Sequence, residues 1–141
     1  MRVSHVMVIA CGLWLSACGD KPTTPSPPLN LTGTWTGTWT FVSGGANVSD
    51  SVTMTLTQTG SAAGGSWSAT GNAAGNVSFP ATADFTGTAN ISQTLIIGGN
   101  CSASTTLTGT ATSSQIRFTL GALTPTALCQ WAPSHQFTFN R

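Results

Sequence analysis

Charged side chains are nearly absent from this sequence of 141 residues, which has four Lys or Arg residues, three Asp or Glu residues and a formal net charge of +1. All three acidic residues are aspartates, and tyrosine is missing. A chain without a basic stripe cannot neutralise many phosphates, so we expect no nucleic-acid partner. The solvent-facing surface must then rely on the hydroxyls and amides of Thr, Ser, Asn and Gln.

Groups that carry out acid, base or nucleophilic chemistry are equally scarce. Glycoside hydrolysis needs two facing carboxylates, and the Gly-x-Ser-x-Gly elbow of many serine hydrolases does not occur. We interpret His135, Asp50 and Asp84 as scattered surface polar groups rather than as parts of a catalytic triad. The expectation is a protein that is not an enzyme and that holds neither a cofactor nor a metal.

The chain begins with a short basic region, Arg2 and His5, followed by an apolar run from Val6 to Leu15. About ten apolar residues are too few to span a hydrocarbon core of roughly 30 Å. The pattern therefore predicts a signal peptide rather than a transmembrane helix.

The motif Leu15-Ser16-Ala17-Cys18 ends this apolar run and resembles the lipobox of bacterial lipoproteins. The resemblance implies cleavage before Cys18 and acylation of its thiol, which incorporation of labelled palmitate would detect. It also implies a location in the bacterial cell envelope. Two or more acyl chains give stable membrane anchoring. Because Gly19 and not Asp follows the cysteine, the resemblance further implies the outer membrane. A competing motif that ends at Cys11 would leave too short an apolar run.

Three segments follow from this organisation. Residues 1–17 are the predicted signal peptide, residues 18–30 a lipidated cysteine with a proline-rich tether, and residues 31–141 a single β domain. The domain keeps Cys101 and Cys129, and an oxidising compartment favours a disulfide between them. Two free thiols or a metal pair are the alternatives, although a metal site would need more ligands.

From Leu31 onward the sequence alternates with a period of two. Leu31, Trp35 and Trp39 share one face of the first segment, with threonines on the other, and similar runs separated by Gly-rich turns recur to the end of the chain. Such a pattern predicts an all-β fold, a single antiparallel up-and-down barrel of about eight strands, with a β-sandwich as the alternative. In a barrel of this size the interior is either filled or holds one small ligand.

The segment Leu31-Thr32-Gly33-Thr34-Trp35 resembles the Gly-x-Trp opening strand of lipocalins, fatty-acid-binding proteins and avidins. The resemblance implies that Trp35 closes the barrel floor and that a basic residue of the last strand lies across its ring. Arg141 shares the parity of the inward Phe137 and Phe139, so we expect a cation–π pair between Arg141 and Trp35. A frayed, solvated terminus is the alternative.

The candidate residues for a ligand cavity or for the barrel floor are inward tryptophans and inward polar groups. Gln58 and Gln93 either fix a ligand or cap hairpin backbone at the barrel ends. Trp131 is a further aromatic wall or a core residue. Apart from Trp131, the candidates for the ligand cavity or the barrel floor are Trp35, Trp39, Trp67, Gln58, Gln93 and Arg141.

Two functions from different classes fit these observations. The first is a lipid-anchored envelope module that binds a small apolar or amphipathic ligand. The alternative is a structural or protein-interaction domain of the envelope with a filled barrel and no ligand.

Overall fold

The structure is a computed structural model that describes residues 29–94, 99–125, 129–132 and 134–141. The predicted signal peptide, Cys18 and the predicted tether up to residue 28 lie outside these residues. The described residues form the strands β1 (Gly33–Ser43), β2 (Ala46–Thr59), β3 (Ala62–Ala69), β4 (Ala73–Pro80), β5 (Asp84–Thr94), β6 (Asn100–Ala111), β7 (Gln115–Leu120) and β8 (Gln136–Asn140).

The sheet closes on itself. Each strand pairs antiparallel with the next one along the chain, and β8 pairs with β1. The β1–β2 hairpin runs from Gly33 opposite Leu56 to Ser43 opposite Ala46, so one short turn connects two long strands. The predicted all-β, up-and-down barrel of about eight strands is confirmed, and the chain does not form the β-sandwich considered as its alternative.

Alternation along each strand explains why these residues form a barrel. On β2, Val52, Met54 and Leu56 are buried, while the threonines between them are exposed. Burial of one such side chain contributes about 1.5–3 kcal/mol, and threonine suits the exposed face of a pleated strand. Closure gives each of the eight strands a partner on both sides over at least part of its length, which protects strand edges where charge is scarce.

Glycines on the inward face let the strands approach closely. A Cβ added at Gly75 would lie 1.8 Å from the carbonyl oxygen of Asn90 and 2.7 Å from Nε1 of Trp67. A Cβ at Gly37 would lie 1.8 Å from the carbonyl oxygen of Thr138. Both positions therefore require glycine, and Gly75 provides the space that the large Trp67 ring occupies.

Aromatic rings fill the middle of the barrel. Phe137 is 1 % exposed, and its ring centroid lies 4.7 Å from that of Phe118, 5.0 Å from that of Trp67 and 5.7 Å from that of Trp39. Phe139 continues the stack towards the start of β1. These contacts join β1, β3, β7 and β8 across the interior, so this part of the barrel is a packed core rather than a cavity.

Candidate ligand site at the mouth of the barrel

The end of the barrel where β1 begins is closed, and we call it the floor. Trp35 is fully buried there, and its Nε1–H donates to the carbonyl oxygen of Leu31 at 2.9 Å. The Cζ atom of Arg141 lies 4.5 Å from the centroid of the Trp35 ring, as strand parity predicts. The Arg141 guanidinium also donates to the carbonyl oxygens of Asn30, at 3.2 Å, and of Thr32. Arg141 thereby holds the chain segment before β1 across the floor.

Gln58 belongs to the same floor. Its Oε1 accepts from the backbone N–H of Leu31 at 2.8 Å, and its Nε2 donates to the carbonyl oxygen of Gly60 at 3.1 Å. These are the backbone-capping contacts considered as one of its two roles. Leu29 also packs against the core, so contact with the domain extends two residues into the segment predicted as tether.

The opposite end, which we call the mouth, contains a small pocket. Its volume is about 110 Å³, and the residues that line it include Trp39, Phe41, Gln93, Trp131 and His135. Trp39, Phe41 and Gln93 come from the mouth ends of β1 and β5, whereas the other two come from the loop between β7 and β8. We call that loop, residues 121–135, the mouth loop. Its residues 126–128 and 133 are not described.

A disulfide ties the mouth loop to the start of β6. Cys101, at the start of β6, is bonded to Cys129 with a Cα–Cα distance of 5.5 Å. The disulfide predicted from the cysteine count is therefore present in the structure. It fixes the loop at a point two residues before Trp131, whose half-buried ring packs against the core. The walls of the mouth pocket thus come from both strands and a covalently held loop.

His135 is buried at 4 % exposure, although its sequence position suggested a surface polar group. That interpretation is wrong, because His135 stacks on the Trp39 ring with centroids 5.6 Å apart. Its Nδ1 accepts a hydrogen bond from Nε1–H of Trp39 at 3.1 Å. Because Nδ1 is an acceptor, the neutral imidazole carries its proton on Nε2.

The pKa of His135 is lowered from its ordinary value because burial removes the imidazole from water. The carbonyl of Ala132 acts in the opposite direction and favours the protonated form. A lowered pKa keeps the ring neutral near pH 7, in the tautomer that the Trp39 hydrogen bond selects.

Two buried nitrogen atoms at the mouth, Nε2 of His135 and Nε1 of Trp131, have no hydrogen-bond partner within 3.5 Å among the described residues. The backbone of Ala132, which opposes the lowering of the His135 pKa, therefore makes no close hydrogen bond to Nε2. Leaving such a group unsatisfied costs about 1–3 kcal/mol. Both residues line the mouth pocket and also an adjoining groove of about 410 Å³, which includes Leu120 and Leu123. Unpaired buried donors beside a pocket are the feature that a bound molecule or ordered water would satisfy.

The predicted site residues therefore separate into three groups, at the mouth, at the floor and in the packed middle of the barrel. Trp39 and Gln93 reach the mouth pocket, whereas Trp35, Gln58 and Arg141 belong to the floor. Trp67 is 3 % exposed and packs edge-on against Trp39, with centroids 5.9 Å apart. The prediction placed Trp131 among possible walls and missed His135 and Phe41. Parity identifies His135, since it lies two residues before the inward Phe137.

Other depressions lie on the outer wall, between short hydroxyl side chains. The largest of those described measures about 450 Å³ and runs over β4, β5 and β6, where Asn76, Asn90 and Ser104 are exposed. Within residues 29–94, 99–125, 129–132 and 134–141, no helix could cross a membrane. The same residues contain no group of three or more His, Cys, Asp or Glu side chains that could hold a metal ion.

The fold and its two ends define the class of the molecule: a closed eight-stranded antiparallel barrel with a sealed floor, a packed middle and a small pocket at the mouth. This architecture agrees with a lipocalin-like barrel. Comparisons with protein-family models, with curated proteins and with solved structures find no match to this chain.

Proposed function

We propose that this protein binds a small apolar or amphipathic ligand at the mouth of its barrel while a lipid anchor holds it in the bacterial envelope. The mouth pocket supports the binding role, because it combines the aromatic walls Trp39 and Phe41 with two unpartnered N–H groups. The accessible lining of the mouth pocket is mainly polar, which suits an amphipathic ligand that enters with a polar group. The proposal includes no catalytic step.

Ligand binding is tested by native mass spectrometry of the purified protein, with extraction of any small molecule that co-purifies. A panel of apolar and amphipathic compounds is then titrated while tryptophan fluorescence and the melting temperature are recorded. We expect saturable quenching together with a rise in melting temperature, because a ligand that binds only the folded state stabilises it. A panel without any response in either signal would contradict the proposal.

The alternative function is a structural or protein-interaction domain of the envelope. One observation favours it: aromatic rings fill the middle of the barrel, so a ligand has no room there. These rings belong to Trp39, Trp67, Phe118 and Phe137. Under this alternative the fluorescence panel gives no response. The truncation Trp35→Ala would still cost about 3–5 kcal/mol of folding free energy, because it empties part of a buried floor.

The lipid anchor rests on the motif Leu15-Ser16-Ala17-Cys18 and on the outer-membrane default implied by Gly19. Replacing Cys18 with Ser should abolish incorporation of labelled palmitate and release the protein from the membrane fraction. The matched control is Cys11→Ser, which alters the other leader cysteine and should leave both properties unchanged. Membrane association that survives Cys18→Ser would remove the anchor from the proposal.

A further inference from the structure

The hydrogen-bonding character of the mouth follows from one contact. Nε1–H of Trp39 occupies the lone pair of Nδ1 of His135, so the Nε2 position of that ring is a donor. The indole nitrogen of Trp131 can only donate. The two unpartnered nitrogen atoms at the mouth are therefore both donors, and the group that satisfies them must be an acceptor.

No Asp, Glu, Lys or Arg is among the described residues that line the mouth pocket. Among the described residues, Arg141 lies over Trp35 at the floor, Arg117 is exposed on the outer wall of β7, and Asp84 is exposed where β5 begins. Asp50 is half-buried on β2 opposite Trp39, beside the turn that contains Gly71, and does not line the pocket. A carboxylate or phosphate ligand would lose hydration at the mouth without gaining a cationic partner. The matching acceptor is therefore uncharged.

Size restricts the ligand further. A volume of about 110 Å³ is well below the roughly 300–1,000 Å³ of pockets that enclose a drug-sized molecule. The adjoining groove of about 410 Å³ shares Trp131, Ala132 and His135 with the pocket. One ring or chain end fits the mouth pocket, and the remainder of a larger molecule would lie in the groove beside Leu120, Leu123 and Trp131.

We infer that the mouth recognises an uncharged molecule through a carbonyl oxygen on a small ring or chain end, which accepts from Nε2–H of His135 and Nε1–H of Trp131. The inference rests on the proposed ligand-binding function and names its substrate class. Trp39 acts as a positioning residue, since its indole selects the His135 tautomer. Trp39 and Phe41 contact the apolar part of the ring.

Three probes of similar shape test this directly on the full-length protein. Cyclohexanone carries the carbonyl acceptor, methylenecyclohexane replaces its oxygen with a CH₂ group, and cyclohexanecarboxylate carries a negative charge. Two hydrogen bonds to otherwise unpaired donors should make cyclohexanone bind roughly tenfold or more tightly than methylenecyclohexane. Cyclohexanecarboxylate should bind more weakly than cyclohexanone. Dissociation constants are measured by titration of the ¹⁵N-labelled protein followed by NMR.

Two variants separate hydrogen bonding from packing. Trp131→Phe keeps an aromatic wall but removes one donor, so it should weaken cyclohexanone binding severalfold and leave methylenecyclohexane binding nearly unchanged. Phe41→Leu is the matched control, because it alters the wall without a donor and should weaken both probes alike. In the unmodified protein, the indole N–H resonance of Trp131 should move with cyclohexanone and stay in place with methylenecyclohexane. That resonance tests the contact even if a variant fails to fold.

Each outcome has a defined meaning. Equal binding of cyclohexanone and methylenecyclohexane, or an unchanged ratio in Trp131→Phe, overturns the inference and leaves the proposed ligand-binding function standing. Tightest binding by cyclohexanecarboxylate also overturns it, because the acceptor would then be an anion. Absence of binding by all three probes overturns the inference, and the fluorescence panel then decides whether the proposed function falls with it.

Discussion

His135 is the residue whose environment differs most from what its sequence position suggests. It follows a proline-containing loop and precedes β8 by one residue, yet it lies in the aromatic stack of the mouth with Trp39 and Phe41. Its inward position follows from the period of two that places Phe137 and Phe139 in the core. The alternation of β8 therefore extends to His135, one residue before the strand, where the carbonyl oxygen accepts from the backbone N–H of Leu120 at 3.0 Å.

Burial of His135 gives the stability of the fold a pH dependence. The pKa of His135 is lowered in the folded state, whereas the unfolded chain titrates near 6.5. As the pH falls through about 6.5, the unfolded state binds more protons than the folded state, so the free energy of unfolding decreases. Urea unfolding of the wild type should show this loss between about pH 7.5 and about pH 5, above the range in which aspartates titrate.

The control for this prediction is His135→Gln, which cannot titrate. Its stability at neutral pH will differ from that of the wild type, so the comparison is between slopes. The free energy of unfolding of the variant should be nearly constant over the same pH interval. An equal decrease in both proteins would show that another group causes the pH dependence.

Arg141 contributes to stability as the last residue of the chain. Its guanidinium lies over Trp35 and donates to two backbone carbonyls of the segment before β1. Arg141→Ala should lower the free energy of unfolding by about 1–3 kcal/mol, since it removes a cation–π contact and two charge-assisted hydrogen bonds. Arg117→Ala, on the outer wall of β7, is the control and should change stability by no more than about 0.5 kcal/mol. Equal effects of the two substitutions in chemical denaturation would contradict this role for Arg141.

At the scale of elements, the first seven strands follow one another through connections of two to five residues, whereas the mouth loop is the long connection between β7 and β8. Strand alternation and Gly-rich turns make the short hairpins readable from sequence. The mouth loop has no such period, so its position could not be derived in the same way. The two cysteines carried the information that it is tied to the start of β6.

The disulfide should couple the stability of the fold to the mouth pocket. Its separation of 28 residues corresponds to roughly 3–4 kcal/mol in the chain-entropy model. The double variant Cys101→Ser/Cys129→Ser should lose about that much and bind cyclohexanone more weakly, because Trp131 is no longer held near the mouth. Wild-type protein treated with reductant should behave in the same way in thermal unfolding and in titration. Unchanged melting and binding after verified reduction would show that the loop holds its position without the bond.

At the scale of the whole molecule, the barrel is asymmetric along its axis. The floor is sealed by Trp35, Leu31 and Arg141, the middle is filled by stacked rings, and the mouth contains two buried donors beside a pocket. The up-and-down barrel was predictable because alternation is strong in β1, β2 and β7. The Gly-rich start of β3, which reads as a turn in the sequence, is part of a strand in the structure. Trp35 and Arg141 were predictable as a pair from parity and from the Gly-x-Trp resemblance.

The division of the predicted site residues between floor and mouth was not readable from sequence. Parity shows that Gln58 and Gln93 both point inward, but it does not show which end of the barrel each one reaches. The end that each glutamine reaches depends on the direction and register of its strand, and the two residues are 35 positions apart. In the structure, Gln58 caps the floor and Gln93 lines the mouth pocket. Likewise, the orphaned nitrogen atoms of Trp131 and His135 arise from packing between the mouth loop and β1, which no local pattern encodes.

The most direct test of a ligand site at the mouth is to locate binding by NMR with the side-chain N–H signals of the tryptophans as reporters. Titration of the ¹⁵N-labelled full-length protein with cyclohexanone should shift the indole signals of Trp39 and Trp131, which line the mouth pocket. The signal of Trp35, which donates to Leu31 at the floor, should stay in place. Shifts confined to Trp35, or no shift of any indole signal up to the solubility limit of the probe, would contradict a ligand site at the mouth.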